Sequence, residues 1–329
     1  MTAPASNWTF PAFSNSPVSP SLIGMPTCRL TLAANTPVMM ATVAAAANVY
    51  LTNRCLLPIW NGQQFVLTDP GPADLVQATT DATKSPAAVA ATSIYDMFVW
   101  NDNGTIRCTR GPAWASASAR TLALSQFNGV QVNSAAITNG PLIYQGTYVG
   151  TIQSNAAGTI DWILGTGASG GGCSTLSVWN MYNRKQIATR VTDTGVAYTY
   201  TTATVKQARA SNGAIGGATG NNINYVAGLA EDCITAAYQQ DMTLIAAVAA
   251  KVSIGVGDDT ITIYKTVPAQ LYTNVAVAIT AELATIYHKG MGEPMIGSHY
   301  VAALEKGDGT NANSFNISTL GELSFSFMM

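Results

Sequence analysis

Residues 95–108 carry the clearest structural pattern in the chain, and they read Tyr-Asp-Met-Phe-Val-Trp-Asn-Asp-Asn-Gly-Thr-Ile-Arg-Cys. The apolar and aromatic run Tyr95–Trp100 is followed by the turn residues Asn101–Gly104 and by a second strand-like run, Thr105–Cys108. Asn-Gly between two such runs favours a type I′ turn, because both central positions of that turn need a positive φ. The stretch therefore predicts an antiparallel β-hairpin.

Strand-like runs separated by turn residues continue on both sides of this hairpin. Leu56–Trp60 and Gln64–Leu67 flank Asn61-Gly62 as a second hairpin of the same kind, and Arg29–Leu32 alternates with period two. Downstream, apolar runs recur at a spacing of about 8–12 residues between turn signals, which is typical of a β-sandwich or barrel. We predict further strands at Val49–Leu51, Tyr144–Gln153, Thr159–Leu164, Leu176–Met181, Ile187–Val191, Val196–Val205, Ala227–Tyr238, Leu244–Val256, Thr260–Val267 and Val275–Ile286.

Two Ala-rich stretches are ambiguous between helix and strand. Ala73–Ala91 is rich in Ala and Thr and is predicted to hold a short helix. Leu244–Val252 has helical propensity, but the spacing of its neighbours favours a strand. The last residues, Leu323–Met329, alternate cleanly, which predicts a terminal strand with Leu323, Phe325 and Phe327 in the core.

These patterns predict an all-β protein in three parts. Residues 1–27 contain five prolines, which exclude a helix or a central strand and indicate an extended arm. Residues 28–140 are predicted as a small β attachment domain, and residues 141–329 as a jelly-roll-like antiparallel β-sandwich that assembles. The aromatic anchors of the arm are expected to dock on a neighbouring subunit or particle protein, the alternative being a strand added to its own sheet; they are Trp8, Phe10 and Phe13.

The composition indicates that the protein works as an oligomer. Only 10 % of the 329 residues are charged, against about 25 % in an average globular protein. A compact monomer of this mass would expose roughly 13,000 Å², which leaves about one charge per 400 Å². Such a surface is short of the charge that keeps a free monomer soluble. We therefore predict an obligate homo-oligomer, with a trimer as the favoured form.

Composition also excludes several classes of partner. A net charge of −2 with scattered Lys and Arg offers no footprint for nucleic acid. No apolar run is long enough to span a membrane, and the longest candidate, Leu244–Gly257, is interrupted by Lys251 and Ser253. The first residues lack the basic and apolar regions of a secretory signal, so synthesis and assembly are expected in the cytoplasm.

The five cysteines lie at intervals of 27 residues or more and form no Cys-x-x-Cys pair, which argues against a zinc site; they are Cys28, Cys55, Cys108, Cys173 and Cys233. One interpretation is that all are small buried apolar residues. The other is that some of them pair, within or between subunits, once a particle leaves the cell. Because the number is odd, at least one thiol stays free or pairs between subunits.

No catalytic, cofactor-binding or metal-binding constellation is predicted. A triad or a His-based metal site would have to use His288 or His299, and both are interpreted as structural. Asp258-Asp259 is interpreted as a hairpin tip rather than a cation site. Glu231-Asp232 and Glu305 would form a glycosidase pair only if the fold brought them together.

Two further sets of residues have a functional and a structural interpretation. The glycine runs 165–172 and 213–220 lack the Lys-Ser/Thr that follows a phosphate loop. Four tryptophans in β-rich segments would suit carbohydrate stacking, although Trp in such positions belongs more often to a core or an interface; they are Trp60, Trp100, Trp114 and Trp179.

Several segments, taken in order over roughly residues 28–329, resemble virion-associated proteins of tailed bacteriophages and prophages, which are usually called hypothetical, fibre or minor structural proteins. The segments are Arg29–Leu32 with Pro37-Val38, Tyr95–Trp100 with Gly111–Trp114, Trp179–Arg184, Gly228–Asp232 and His299–Glu305. The resemblance implies a particle component with a trimer-forming β-sandwich. It supplies no catalytic or binding residue.

The function expected from these observations is that of a structural protein of a phage particle, in the head, neck or tail fibre or as a decoration protein. The expected partners are copies of the same chain and other virion proteins, and the expected location is the virion. The alternative is a carbohydrate- or receptor-binding tip protein of the same particle, with a host surface glycan as the ligand. A glycan-degrading enzyme is disfavoured, because no parallel β-helix repeat is present.

Overall fold

The computed structural model describes residues 25–165, 167–209, 220–245, 250–275, 277–290, 293, 295–316 and 321–329. The predicted docking residues of the arm, Trp8, Phe10 and Phe13, lie outside this range. No helix occurs in the described residues, so the predicted all-β class is confirmed.

The first half of the chain contributes strands to all five sheets. These strands are β1 (Leu30–Thr31), β2 (Val43–Ala46), β3 (Asn48–Leu51), β4 (Leu57–Trp60), β5 (Phe65–Thr68), β6 (Leu75–Ala78), β7 (Ile94–Asp102), β8 (Thr105–Ala113), β9 (Leu124–Phe127), β10 (Val130–Asn133), β11 (Thr147–Gln153), β12 (Ile160–Ile163) and β13 (Gly167–Ala168). A three-stranded sheet has the order β1-β3-β6, and β4 pairs with β5 alone.

The second half contributes most of two larger sheets. Its strands are β14 (Cys173–Leu176), β15 (Val178–Asn180), β16 (Gln186–Asp193), β17 (Tyr198–Tyr200), β18 (Lys206–Gln207), β19 (Asn222–Ala227), β20 (Ile234–Leu244), β21 (Ala250–Asp258), β22 (Ala269–Thr273), β23 (Ile279–Lys289), β24 (Gly297–Lys306), β25 (Asn313–Phe315) and β26 (Gly321–Met328).

Three sheets make up the body of the protein. One has the order β8-β7-β11-β10-β9, with β15 beside β11. The second has the order β2-β12-β14-β19-β24-β21-β22, with β18 beside β24. The third has the order β13-β16-β26-β20-β25-β17, with β23 beside β20. Most strand pairs are antiparallel, while β14 with β19 and β13 with β16 are parallel.

The second and third sheets pack face to face and form a sandwich-like core. The ring of Tyr225 on β19 lies 5.0 Å from that of Phe325 and 5.4 Å from that of Phe327, both on β26. Strict alternation along β26 buries Leu323, Phe325 and Phe327, as the sequence predicts. β26 lies between β16 and β20, so the end of the chain is a central strand rather than an edge.

The two Asn-Gly hairpins both form, but with different turns. Asn103 and Gly104 have φ values of 49° and 95°, which fits the predicted type I′ turn between β7 and β8. Between β4 and β5 the turn is longer, and Asn61 does not adopt a positive φ. Its side-chain oxygen instead accepts hydrogen bonds from the backbone N–H groups of Gln63 and Gln64. The prediction of type I′ is therefore wrong for this hairpin.

Two predicted elements are corrected by the structure. The helix in Ala73–Ala91 does not form; β6 and turns occupy the segment, and the Arg110 guanidinium on β8 donates to three of its backbone oxygens, those of Ala78, Asp81 and Ala87, which a helix would use internally. The strand at Thr260–Val267 does not form either. The ring of Tyr264 there lies over Gly255, where a Cβ would come within 2.2 Å of it.

Strand pairing crosses residue 140, the predicted boundary between the two domains. β7 pairs with β11 over six residues, and β2 pairs with β12. Buried Arg29 also joins the two ends of the described chain, because it donates to the backbone oxygens of Pro37 and Met329. Residues 28–140 and 141–329 therefore share sheets.

Candidate functional site

The β7–β8 hairpin presents a polar and aromatic face at its turn end. Trp100 pairs with Arg107 and Asp102 pairs with Thr105, so Trp100, Asp102 and Arg107 lie on the same face of the hairpin. The Arg107 Nε lies 2.5 Å from the Asp102 Oδ2, and both side chains are partly exposed. The sequence pattern that predicts the hairpin thus also places an indole and an ion pair side by side.

Two loops complete a cavity of about 330 Å³ over this face. The first contains Thr83 and Lys84, and the second contains Asn139 and Gly140. The Asn139 side chain donates to the backbone oxygen of Ala82 at 2.9 Å and thereby joins the two loops. We refer to this site as the Trp100 cavity.

The tryptophans proposed as carbohydrate platforms have three different environments. Trp114 and Trp179 are buried in the core, which confirms the structural interpretation for these two. Trp60 is half-buried in an edge-to-face cluster with Phe65 and Phe127. Trp100 is partly exposed and lines the Trp100 cavity.

The adjacent carboxylates Asp258 and Asp259 do not form an exposed hairpin tip. Asp258 is buried and accepts from Lys289 Nζ at 2.9 Å and from the Tyr287 hydroxyl at 2.8 Å. Asp259 lies 2.7 Å from His299 Nδ1. Burial acts to raise the pKa of Asp259, but the hydrogen bond and charge of His299 and the N–H of Tyr300 outweigh it and hold that pKa low.

The remaining titratable candidates are separate from one another. His288 is exposed on β23, with its Nδ1 3.1 Å from the Thr235 hydroxyl. Glu231 and Asp232 both pair with Arg184, whereas Glu305 is buried against Lys206 and the Tyr198 hydroxyl. The two acidic sites therefore contact different partners. Within the described residues, no group of three His, Cys, Asp or Glu side chains is arranged to hold a metal ion.

The cysteines are divided between a disulfide and free thiols. Cys28 and Cys55 are bonded, with their Cα atoms 4.9 Å apart. Cys108 is buried, Cys173 is partly buried and Cys233 is exposed, and all three are free. Pairing within a subunit is therefore found, while pairing between subunits stays a prediction for which Cys233 is the exposed thiol.

We expect loss of the Cys28–Cys55 bond to lower the free energy of unfolding by about 3 kcal/mol, because the bond closes a loop of 27 residues. Denaturant unfolding of Cys55→Ser beside the parent protein measures the effect. The free and exposed Cys233 provides the control, since Cys233→Ser should leave the midpoint unchanged. Equal midpoints for Cys55→Ser and the parent protein would contradict the expectation.

Exposed apolar side chains recur along β22 and β23 and in the loops beside these strands, on one side of the sandwich. The Thr285 hydroxyl donates to the backbone oxygen of Val267 at 3.2 Å, which places Val267 beside β23. Five large apolar side chains in this region are between 53 % and 90 % exposed, and together we call them the apolar corner: Val267, Tyr272, Val275, Val277 and Ile286. Large exposed apolar side chains in such numbers often mark interaction sites.

The apolar corner lies at the open edges of both large sheets. β22 ends the order of the second sheet, and β23 pairs only with β20 among the described strands. β23 is eleven residues long, so one of its sides presents a long row of backbone groups. Natural proteins usually cover, shorten or charge such an edge.

No protein-family model matches the chain, and no curated protein matches it. Among the described residues, no helix is long and apolar enough to cross a membrane.

Proposed function

We propose that this protein is a structural component of a bacteriophage particle that acts by assembling with copies of itself, as a trimer, and with other virion proteins. The observation that carries the assembly part is the apolar corner, which lies beside the edge of β23 that has no partner among the described strands. The low content of charged residues supports it, because a surface with few charges is better suited to burial between subunits.

The assignment to a phage particle rests on the sequence segments that, in their order along the chain, resemble virion proteins. A jelly-roll-like form of the sandwich belongs to the same proposal and is supported by two facing, mostly antiparallel sheets. The proposal includes no catalytic role, which agrees with the internally paired arrangement of Asp258, Asp259 and His299.

Assembly through the apolar corner is tested by sedimentation velocity at micromolar concentration. We expect the parent protein to sediment as a stable oligomer, because an obligate interface buries upward of about 2,000 Å². Val277→Lys combined with Ile286→Lys should shift the protein to monomers, since both side chains are more than half exposed and the change adds two like charges to the interface.

The matched control is Val76→Lys, because Val76 is 54 % exposed but lies on β6 in the three-stranded sheet. It should leave the sedimentation coefficient unchanged. A parent protein that stays monomeric at this concentration would contradict the proposed assembly. An oligomer that survives both corner substitutions would place the interface elsewhere.

A second candidate function is recognition of a host surface glycan, as the receptor-binding tip of the same particle. The specific observation in its favour is the Trp100 cavity, where an indole and several polar side chains converge. Binding of the purified protein to an array of bacterial surface glycans tests this candidate.

A further inference from the structure

We propose that the Trp100 cavity binds one acidic sugar residue, a sugar ring that carries a carboxylate. This inference rests on the second candidate function and specifies its site and its ligand class. It depends on the position of the indole, on the charges at the cavity and on the rigidity of the walls.

A hydrogen bond to Thr109 on the neighbouring strand fixes the position of the Trp100 indole. Its Nε1 donates to the Thr109 hydroxyl at 2.7 Å, and the methyl group of Thr109 lies against Gly140. A Cβ at Gly140 would come within 2.8 Å of that methyl group, so only glycine lets the second loop approach so closely. A ring with a fixed position and a partly exposed surface can pack against the apolar face of a sugar at little entropic cost.

The charged groups of the cavity favour an anion. Among the residues that line the cavity, Lys84 and Arg107 carry two positive charges against the single carboxylate of Asp102, and the nearby Asp81 carboxylate is bound to the backbone N–H groups of the first loop. The ion pair with Asp102 uses Arg107 Nε, and the terminal amino groups of Arg107 have no hydrogen-bond partner among the described residues. A guanidinium with free terminal N–H groups is well suited to a carboxylate. Asp102 itself supplies acceptor oxygens for sugar hydroxyl groups.

The walls of the cavity are formed before any ligand arrives. Asp81 Oδ1 accepts from the backbone N–H groups of Thr83 and Lys84 at 2.7 and 3.3 Å, which orders the first loop. The hydroxyl of Ser85, the residue after Lys84, accepts a hydrogen bond from the backbone N–H of Arg110 on β8 at 3.1 Å. The volume of about 330 Å³ is near the lower end of the usual range for small-molecule sites, roughly 300–1,000 Å³. This size suits a single sugar ring.

The cavity beside Asp258 is a weaker candidate, although it is larger, at about 480 Å³. Its buried carboxylate is already occupied by Lys289 and Tyr287, and Asp259 by His299. The acidic residues Asp258, Asp259 and Glu293 outnumber Lys265 and Lys289 in this cavity, so its charge disfavours an acidic ligand.

The test is titration calorimetry of the full chain with two matched probes, oligogalacturonate and the corresponding neutral galactose oligomer. We expect the acidic probe to bind and the neutral probe to bind at least about tenfold more weakly, because a hydrogen bond to a charged group contributes more than a neutral one. Lys84→Gln should weaken binding of the acidic probe by about tenfold and leave the neutral probe unaffected. Lys251→Gln, an exposed lysine on β21, is the control and should change nothing.

Trp100→Leu separates a sugar site from a simple anion site. It should weaken binding of oligogalacturonate but not of inorganic sulfate, since only the sugar ring packs on the indole. Sulfate that competes as well as the sugar, or a Lys84→Gln variant with unchanged affinity, would overturn the proposal. If the parent protein binds glycans of the array and the Trp100→Leu variant binds them equally well, the Trp100 cavity is not the binding site. The second candidate function, glycan recognition, would then still hold. If no glycan binds at all, the second candidate function fails together with the site.

Discussion

Phe327→Ala is expected to lower the free energy of unfolding by about 3–5 kcal/mol. The Phe327 ring is 1 % exposed and lies 5.4 Å from the ring of Tyr225 on the facing sheet and 6.3 Å from that of Phe325. Truncation would leave a cavity between the two large sheets, because β26 is held on both sides by β16 and β20 and cannot collapse into the space. Denaturant unfolding followed by tryptophan fluorescence measures the loss.

Ser326→Ala is the matched control for this prediction. Ser326 lies on the same strand, but its side chain points to the outer face, where it is half-exposed. A change there should stay within about 0.5 kcal/mol. If Phe327→Ala is as mild as Ser326→Ala, the inward face of β26 has been assigned wrongly.

Arg120→Met is expected to cost a similar amount, about 3–5 kcal/mol, for an electrostatic reason. Arg120 Nε lies 2.6 Å from Asp96 Oδ2, and both side chains are less than 10 % exposed. Arg120 also donates to the backbone oxygen of Gly228 at 2.6 Å, and its guanidinium lies over the Trp114 ring at 4.4 Å. The substitution would leave Asp96 buried without its cation.

The loss of unfolding free energy in the Arg120→Met variant should depend on pH. Burial raises the pKa of the Asp96 carboxyl even with Arg120 beside it, and without Arg120 that pKa should rise further. A folded-state pKa above the unfolded value means that stability falls as pH rises, so the variant should be less impaired near about pH 5 than near about pH 8. Thermal unfolding at both pH values measures this difference.

The control is Arg190→Met, which breaks the exposed pair with Glu322. Arg190 Nη1 lies 3.4 Å from the Glu322 carboxylate, and its side chain is 72 % exposed. Removal of such a pair should cost no more than about 0.5 kcal/mol, with little pH dependence. Similar losses in both arginine variants would show that Arg120 is not a buried structural cation.

Local patterns in the sequence account for much of the fold, because they depend on neighbouring residues only. Asn103-Gly104 predicts the turn of the β7–β8 hairpin, since two positive φ values are needed there and these residues accept them. Alternation along the last strand predicts which side of β26 is buried. The strand at Thr260–Val267 and the helix in Ala73–Ala91 were predicted from the same kind of pattern and are wrong. In both segments contacts with other parts of the chain outweigh the local propensity.

The candidate sites could be predicted only in part, for the same reason. The hairpin register places Trp100, Asp102 and Arg107 on one face, but the loops at Lys84 and Asn139 that complete the cavity are distant in sequence. The apolar corner depends on which strands end the two sheets. The alternation of exposed and less exposed residues along β23 shows which side chains face outward. It does not show that one edge of this strand has no partner among the described strands.

The sequence by itself determined the all-β class of the described residues, the hairpin at residues 95–108 and the inward direction of Leu323, Phe325 and Phe327. Only the tertiary structure decided that Cys28 bonds to Cys55, that Asp258 is buried against Lys289 and that strands on both sides of residue 140 share sheets. The physical reason is the distance in sequence between the residues that interact. A turn or an alternating strand is stabilised by residues a few positions apart, whereas pairing between distant segments depends on the whole packed chain, which no local pattern specifies.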